Sequence, residues 1–189
     1  MDRDVTNPVS PGDSKATSLQ LHGVLVRVFG TGVLLIGESG IGKSESALDL
    51  ITRGHQLIAD DVVDVERVAE EVVGSAPELT FEMLEIRGLG FINIKQAFGP
   101  GSVSRKSAID VFVELQKGSD FERPEEIVHS QDILGLNVRK FVIPVSSGRN
   151  LATLIETAVR LHINRDAGDA ATEVLLEKHA ELLRSAQKI

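Results

Sequence analysis

Apolar residues in the first part of the chain fall into two short runs with glycine between them. The first run covers residues 21–29 and is rich in β-branched side chains, and the second covers residues 33–36. Two such runs joined by a short Gly-containing loop predict a β-hairpin. The second run contains no alternating polar residue, which predicts a strand that is buried on both faces.

Helical patterns occur at three places farther along the chain. Residues 45–52 have helical character and end at Arg53-Gly54, a cation followed by a glycine, as at many helix C-termini. Residues 150–162 place their apolar side chains on one face. A final amphipathic helix is predicted at about 170–185.

Short apolar runs predict further strands between these helices. The predicted strands cover residues 56–59, 91–94, 108–115 and 140–145. Residues 62–73 and 79–86 predict strands or loops whose limits the pattern leaves open, and the polar stretch 120–136 predicts a loop. Strands mixed with amphipathic helices predict an α/β fold with a central mixed sheet and flanking helices.

The composition of the 189 residues narrows the class of protein. Hydrophobic residues make up 42% and charged residues 25%, an ordinary globular balance, and cysteine is absent, which excludes disulfides and thiolate metal sites. A net charge of −8 argues against a nucleic-acid partner. No apolar segment is long enough to be a signal peptide or a membrane span, so a cytoplasmic protein without membrane contact is expected.

A phosphate-binding loop lies between the second predicted strand and the first predicted helix. The loop matches G-x-x-x-x-G-K-[ST] with Gly37, Glu38, Ser39, Gly40, Ile41, Gly42, Lys43 and Ser44. Glycines let successive N–H groups point inward at phosphate oxygens, and the helix dipole adds positive potential. We expect Lys43 to reach the β- and γ-phosphates of a nucleoside triphosphate and Ser44 to ligate Mg²⁺.

Two adjacent acids follow the next predicted strand. Asp60 and Asp61 end the run 56–59, and strand carboxyl ends face the ligand in parallel α/β sheets. One carboxylate would act on the substrate while its neighbour, on the opposite face, contacts metal-bound water or the scaffold. The alternative interpretation is a solvated turn.

The polar residues 1–18 predict a disordered leader, and residues 19–189 predict one P-loop kinase catalytic domain.

Several other polar residues have two interpretations on their own. His22 fits a half-buried strand histidine, Glu85 a surface acid, and residues 87–90 a plain turn. Residues 148–150 fit a loop that ends in an Asn N-cap.

Taken together and in this order, the motifs resemble the catalytic domain of bacterial HPr kinase/phosphorylase. The matching blocks cover residues 22–24, 37–48, 53–61 and 84–90, supported by 143–151. The block at 84–90 is similar to the family's signature segment and consists of Leu84, Glu85, Ile86, Arg87, Gly88, Leu89 and Gly90. The resemblance runs from about His22 to His162.

The resemblance implies a reaction and the residues that perform it. Such enzymes transfer the γ-phosphoryl group of ATP to a serine of the phosphocarrier HPr, and remove it with inorganic phosphate, releasing pyrophosphate. By the resemblance, Asp61 is the general base and acid, with Asp60 beside it in the site. Lys43 stabilises the transition state, and Ser44 and Glu85 are Mg²⁺ ligands. His22 and Arg123 match further catalytic positions. The loop implied for dephosphorylation contains Pro144, Val145, Ser146, Ser147, Gly148 and Arg149. A hexamer is also implied.

The chain departs from the family pattern in two respects. Family members usually carry an additional N-terminal domain, whereas a short polar leader precedes His22 here, which fits either a truncated or a naturally short member. The family commonly has a basic residue where Ser146 stands. Loss of that cation predicts weaker binding of inorganic phosphate, so kinase activity is expected to be more secure than phosphorylase activity.

Two other functions stay open from the sequence. One is a P-loop kinase with a small-molecule acceptor, since the fold does not fix the acceptor. The other is a non-catalytic ATP sensor that binds partners. Transfer of phosphate to HPr rather than to free serine would argue against the small-molecule kinase. ATP binding without any transfer would favour the sensor.

Overall fold

The computed structural model describes residues 17–118, residues 128–164 and Lys178. Most of the predicted leader and of the predicted final helix therefore lies outside the described residues, as does Arg123. The first strand begins at Ser18, the last residue assigned to the leader. The division of the chain into leader and domain stays a prediction.

The described residues form twelve strands and three α-helices. The strands are β1 Ser18–His22, β2 Val24–Val28, β3 Thr31–Gly37, β4 Gln56–Ala59, β5 Val62–Val68, β6 Glu71–Ser75, β7 Met83–Ile86, β8 Gly90–Asn93, β9 Lys106–Ala108, β10 Val111–Lys117, β11 Val128–Ile133 and β12 Leu136–Val145. The helices are α1 Lys43–Thr52, α2 Ile94–Phe98 and α3 Leu151–Ile163. Short 3₁₀ turns lie at Glu78–Thr80 and Pro100–Ser102.

A mixed six-stranded sheet forms the centre of the fold, in the order β11-β12-β10-β3-β2-β4. β10 runs parallel to both β3 and β12, whereas β2 is antiparallel to its neighbours β3 and β4. β3 and β4 therefore point the same way although β2 lies between them. The carboxyl ends of β3, β4, β10 and β12 and the start of β2 consequently meet at one edge of the sheet. The α/β fold with a central mixed sheet is the predicted one.

Helices cover one face of this sheet and a second sheet covers the other. Side chains alternate along the strands, so that Val33 and Leu35 of β3 pack with α1 and α3, whereas Leu34 faces the second sheet. That sheet is antiparallel, in the order β1-β5-β6-β9. Both cores are almost wholly aliphatic, as the scarcity of aromatic residues requires. Among the described residues, no helix is long and apolar enough to cross a membrane.

The predicted hairpin is confirmed, since β2 and β3 pair antiparallel, with Val28 opposite Thr31. Other predictions were wrong in detail. Part of the predicted loop 120–136 is strand β11, whose polar residues lie at the edge of the sheet and are not required to alternate. The predicted strand 108–115 begins only at Val111, because residues 106–108 belong to the second sheet. Ile94 begins a helix, capped by the Asn93 side chain.

Candidate active site

The loop that follows β3 has the shape that phosphate binding requires. Gly37, Gly40 and Gly42 have φ angles of 142°, 76° and 105°, which side-chain-bearing residues rarely adopt. At Gly37 a Cβ atom would also lie 2.4 Å from the carbonyl oxygen of Leu115 on the neighbouring strand. Gly42 directly precedes Lys43, the first residue of α1. The loop therefore turns backbone N–H groups and a helix N-terminus toward the same space.

Lys43 is held against the loop by backbone carbonyl groups. Its Nζ donates hydrogen bonds to the oxygens of Gly37 at 2.8 Å and Glu38 at 3.0 Å. Only 7% of the residue is exposed. The ammonium charge is thus fixed at the point where the strand becomes the loop, with little rotamer freedom left to lose on binding an anion.

Asp60 lies at the end of β4 and joins three segments of the site. Its Oδ1 accepts a hydrogen bond from the Ser44 hydroxyl at 3.0 Å, and its Oδ2 accepts one from the backbone N–H of Glu85 at 2.9 Å. Burial raises the pKa of the Asp60 carboxyl, and the charge of Asp61 adds to this, while the hydrogen bonds from Glu85 and Ser44 oppose it. Asp60 is 6% exposed and is therefore the scaffold-facing member of the acidic pair.

Asp61 points the other way, into solvent, and pairs with His22. The distance from His22 Nδ1 to Asp61 Oδ1 is 3.0 Å, with both side chains more than half exposed. The φ angle of Asp61 is 65°, and a hydrogen bond from Val62 N–H to the Asp60 carbonyl closes a γ-turn around it. Gly23 N–H donates to the Asp61 carbonyl at 3.0 Å, which joins the start of β2 to this turn. This strained turn directs the Asp61 carboxylate away from Asp60.

The signature segment forms the β-hairpin of β7 and β8 beside the loop. Leu84 and Ile86 are buried in the core on one face, whereas Glu85 is exposed on the other. Arg87 extends over the phosphate loop, since a Cβ atom at Gly40 would meet its guanidinium at 3.3 Å. The hairpin therefore places one acid and one cation at the mouth of the loop.

These segments enclose a cleft of about 400 Å³. Most of the predicted site residues line the cleft, namely His22, Ser39, Gly40, Gly42, Lys43, Ser44, Asp60, Asp61, Glu85, Ile86, Arg87, Gly88 and Gly90. Leu84 supports it from the core, and Leu89 is 72% exposed beyond it. Glu45 and Val24 also line the cleft, although neither was predicted as a site residue.

The predicted dephosphorylation loop, 144–149, does not line this cleft. Pro144 and Val145 are the last residues of β12, which pairs with β10, and Asn150 caps α3 by accepting from Thr153 N–H. Arg53, at the end of α1, donates to the Asn150 side chain at 3.0 Å and to Glu156 at 3.0 Å. The loop is therefore anchored to the far end of the phosphate-loop helix.

An ion pair that was not predicted from the sequence connects the end of β10 to the phosphate loop. Lys117 is the last residue of β10, and its Nζ lies 2.9 Å from Oε2 of Glu38 in the phosphate loop. The predicted strand stopped at residue 115, because the apolar run ends there. Lys117 stands two residues beyond the apolar run that ends at Leu115, and this cation after a predicted strand was the available signal.

The oxygen ligands present fit a hard cation that is shared with a phosphate ligand. The described residues contain no cluster of three or more His, Asp or Glu side chains that would cage a metal alone. The Ser44 hydroxyl and the Asp60 carboxylate lie together, with Glu85 in the same cleft. Mg²⁺ sites typically contain few protein ligands, and water and phosphate oxygens complete the coordination of the ion.

Comparison with known proteins gives the family. The family model described as "HPr Serine kinase C-terminal domain" matches residues 13–179. An HPr kinase/phosphorylase from Clostridium perfringens is 40% identical over 179 residues, covering 93% of this chain and 58% of that protein. One from Nitrosomonas europaea is 44% identical over 170 residues, covering 87% of this chain and 53% of that protein. The chain thus spans somewhat more than half the length of the curated relatives it matches.

A solved structure agrees with this result. The "Hpr(Ser) kinase/phosphatase from Coxiella burnetii" superimposes with a TM-score of 0.74 at 34% sequence identity, over 83% of this chain and 98% of that one. The region matched by the family model contains the phosphate loop, the acidic pair and the signature hairpin. The chain belongs to the HPr serine kinase C-terminal domain family.

Proposed function

We propose that this protein is an ATP-dependent kinase that phosphorylates a serine of HPr, and that it also removes the phosphate by phosphorolysis. The observation that carries the proposal is the convergence of Lys43, Ser44 and the His22–Asp61 pair on one cleft. This cleft holds a cationic phosphate-binding side and an exposed carboxylate that can accept a proton. The family membership favours HPr as the acceptor over a small molecule.

On the phosphate side, the loop residues bind and polarise the nucleotide. Backbone N–H groups of residues 37–44 surround the β-phosphate, and Lys43 neutralises charge that develops on the transferring group. Arg87 is positioned over Gly40 to contact the same phosphates. Positioning and charge stabilisation of this kind provide most of the catalysis in phosphoryl transfer.

Mg²⁺ and ATP are the proposed cofactor and substrate. Ser44 and Glu85 would hold the metal, and Asp60 would orient the Ser44 hydroxyl and metal-bound water. When bound, the ion neutralises charge on the β- and γ-phosphates.

On the acceptor side, Asp61 takes the proton of the attacking serine hydroxyl. The serine oxygen forms a bond to the γ-phosphorus, the bond to the β-phosphate oxygen breaks, and ADP leaves. In phosphorolysis an oxygen of inorganic phosphate forms a bond to the phosphorus of phosphoserine, and the bond from that phosphorus to the serine oxygen breaks. The protonated carboxyl of Asp61 gives its proton to the serine oxygen, and pyrophosphate leaves. His22, 3.0 Å from Asp61, orients the carboxylate for both steps.

The proposal includes elements that rest on the family resemblance alone. These are a hexameric assembly, a catalytic role for Arg123 and a dephosphorylation role for loop 144–149. A cytoplasmic location is also proposed, from the sequence pattern.

Transfer of γ-labelled phosphate from MgATP to purified HPr tests the proposal, with free serine as the competing acceptor. Label on an HPr serine, lost in Lys43→Ala and Asp61→Asn, is the expected result. ATP binding without any transfer would instead indicate a sensor, and label on free serine alone would indicate a small-molecule kinase. Neither result is compatible with the proposal.

A further inference from the structure

Strand β10 ends between two loops that handle phosphate in the proposed function, on which this inference rests. In the pairing of β10 with β3, Leu115 lies opposite Gly37, where the phosphate loop begins. In the pairing with β12, Lys117 lies opposite Val145, the residue before Ser146. Lys117 is therefore the last strand residue between the phosphate loop and the position that lacks the family's usual cation.

Two ammonium groups contact Glu38, one at its backbone and one at its side chain. Lys43 binds the backbone carbonyl of Glu38 at 3.0 Å from within the loop, and Lys117 binds its carboxylate at 2.9 Å from outside. The Lys117 and Glu38 side chains are 68% and 70% exposed. The hydrogen bond from Lys117 and the charge of its ammonium group hold the pKa of the Glu38 carboxyl below its ordinary value. Glu38 is thus a carboxylate within a loop that is proposed to bind anionic phosphate groups, and Lys117 neutralises its charge.

An exposed ion pair of this kind is weak and easily exchanged. A phosphate group offers more negative charge and more acceptor oxygens than one carboxylate. The flexible lysine stem lets the ammonium group move from Glu38 to a phosphate oxygen without any change in the backbone. Such an exchange leaves Glu38 in solvent, where its carboxylate is hydrated.

We propose that Lys117 is a phosphate-binding residue that leaves Glu38 to contact a phosphate group held on the loop, and so supplies the cation missing at position 146. The phosphate group is either the terminal phosphate of the nucleotide or free inorganic phosphate. Lys117 acts by direct contact with the ligand rather than by shaping the loop.

Calorimetric titration of the whole chain with MgATP and, separately, with inorganic phosphate tests this contact. Lys117→Ala is expected to weaken binding about tenfold in at least one titration, the usual size for a lost charge-assisted hydrogen bond at a partly exposed position. Lys117→Arg, which keeps the charge, is expected to stay within about threefold of wild type. Weakening with MgATP alone assigns the contact to the nucleotide, and weakening with phosphate alone assigns it to free phosphate. Unchanged binding in both would overturn the proposal.

Glu38→Gln separates a direct contact from a structural role. If Lys117 touches phosphate, this variant binds phosphate as tightly as wild type or more tightly, because a competing anion is gone. If the ion pair only shapes the loop, Glu38→Gln and Lys117→Ala lose affinity equally, which would overturn the proposal. Lys95→Ala is the matched control, since it breaks a 2.9 Å ion pair with Glu82 outside the cleft and should change nothing.

Two further variants complete the test. Lys43→Ala must abolish MgATP binding if the proposed function is right. If Lys43→Ala still binds MgATP, the proposed function is rejected. If Lys43→Ala loses MgATP binding while Lys117→Ala binds like wild type, only this inference is rejected. Ser146→Lys placed in the Lys117→Ala background is expected to restore affinity to within about threefold, because the two strand ends are adjacent. No recovery would show that positions 117 and 146 do not serve the same phosphate.

Discussion

The Ser44 hydroxyl donates a hydrogen bond of 3.0 Å to the buried carboxylate of Asp60. This bond connects the helix that follows the phosphate loop to the carboxyl end of β4, across the intervening strand β2. The same carboxylate accepts from the backbone of the signature hairpin at Glu85. Asp60 is therefore a junction of the three segments that form the cleft, and its ionisation affects their stability as well as the chemistry.

Asp60→Asn is expected to stabilise the protein at neutral pH. Burial raises the folded-state pKa of Asp60 above its unfolded value, so the folded state binds a proton more tightly than the unfolded chain. The resulting stabilisation is complete below the unfolded pKa and is lost as pH rises through the folded pKa.

Urea unfolding of both proteins between pH 4 and pH 8 measures this effect. The advantage of the Asn variant should grow with pH and vanish in acid, while MgATP-dependent phosphate transfer falls. Asp64→Asn, at a half-buried position of β5 outside the cleft where the carboxylate accepts from Gln20, is a suitable control. A stability difference that stays constant with pH would contradict the assignment.

Asp61→Asn is expected to remove phosphate transfer without unfolding the protein. Asparagine tolerates the positive φ angle of 65° and keeps an oxygen for His22, but it cannot accept the serine proton. The single-turnover rate should fall by a factor of about 10²–10⁴, with MgATP affinity unchanged. Asp61→Val should lose the same activity and also lower the melting temperature, because a β-branched residue is strained at this angle. Transfer within tenfold of wild type in Asp61→Asn would mean that another group accepts the proton.

Gly37→Ala is expected to destabilise the fold strongly. The added Cβ atom would lie 2.4 Å from the Leu115 carbonyl oxygen, so β3 and β10 would have to separate where the phosphate loop begins. We expect a loss of about 3 kcal/mol or more in the free energy of unfolding. Gly30→Ala is the matched control, since Gly30 also has a positive φ but has no atom within 4 Å of the added carbon, and it should lose only about 1 kcal/mol. Equal losses would show that the backbone angle matters and the contact does not.

Much of the local structure could be predicted from the sequence, because it depends on short-range signals. The phosphate loop needs glycines at fixed positions, and the β2–β3 hairpin needs two apolar runs and a turn. The alternation of side chains predicted that Asp60 and Asp61 lie on opposite faces, but the pattern did not indicate which of the two is buried. The environment of each side chain depends on long-range contacts, since Asp60 accepts hydrogen bonds from Ser44 and from the backbone of Glu85, which is 25 residues away.

The second sheet and the strand order could not be predicted from the sequence pattern, because they also depend on long-range contacts. The antiparallel strand β2 lies between β3 and β4, and nothing in the local sequence specifies that order. Strand β11 was missed because its polar residues at a sheet edge give no period. The exposed pairing of His22 with Asp61 also corrects the first interpretation of His22 as half-buried.

Ser146→Lys is expected to accelerate phosphorolysis of phosphorylated HPr. A cation at the end of β12 would bind attacking phosphate more tightly, so the rate at limiting phosphate should rise by about fivefold or more. The kinase rate should change less than twofold. Ser147→Lys, one residue farther along the same loop, controls for added charge alone. Equal rates in wild type and Ser146→Lys would contradict this prediction and would show that a second cation beside Lys117 adds nothing to phosphorolysis.

The strand order also separates charge across the cleft. The Lys43 ammonium group binds the carbonyl oxygen of Gly37 at the end of β3, whereas Asp60 and Asp61 directly follow β4, about two strand spacings or roughly 10 Å from β3. The edge of the sheet is therefore an electric dipole with its positive end over the phosphate loop. A magnesium–polyphosphate complex is a dipole as well, so under the proposed function this field would turn the metal toward the aspartates and the phosphate chain toward Lys43 while the ligand is still diffusing. The orienting torque would weaken as added salt shortens the Debye length, so the rate of the proposed nucleotide binding is expected to depend on ionic strength.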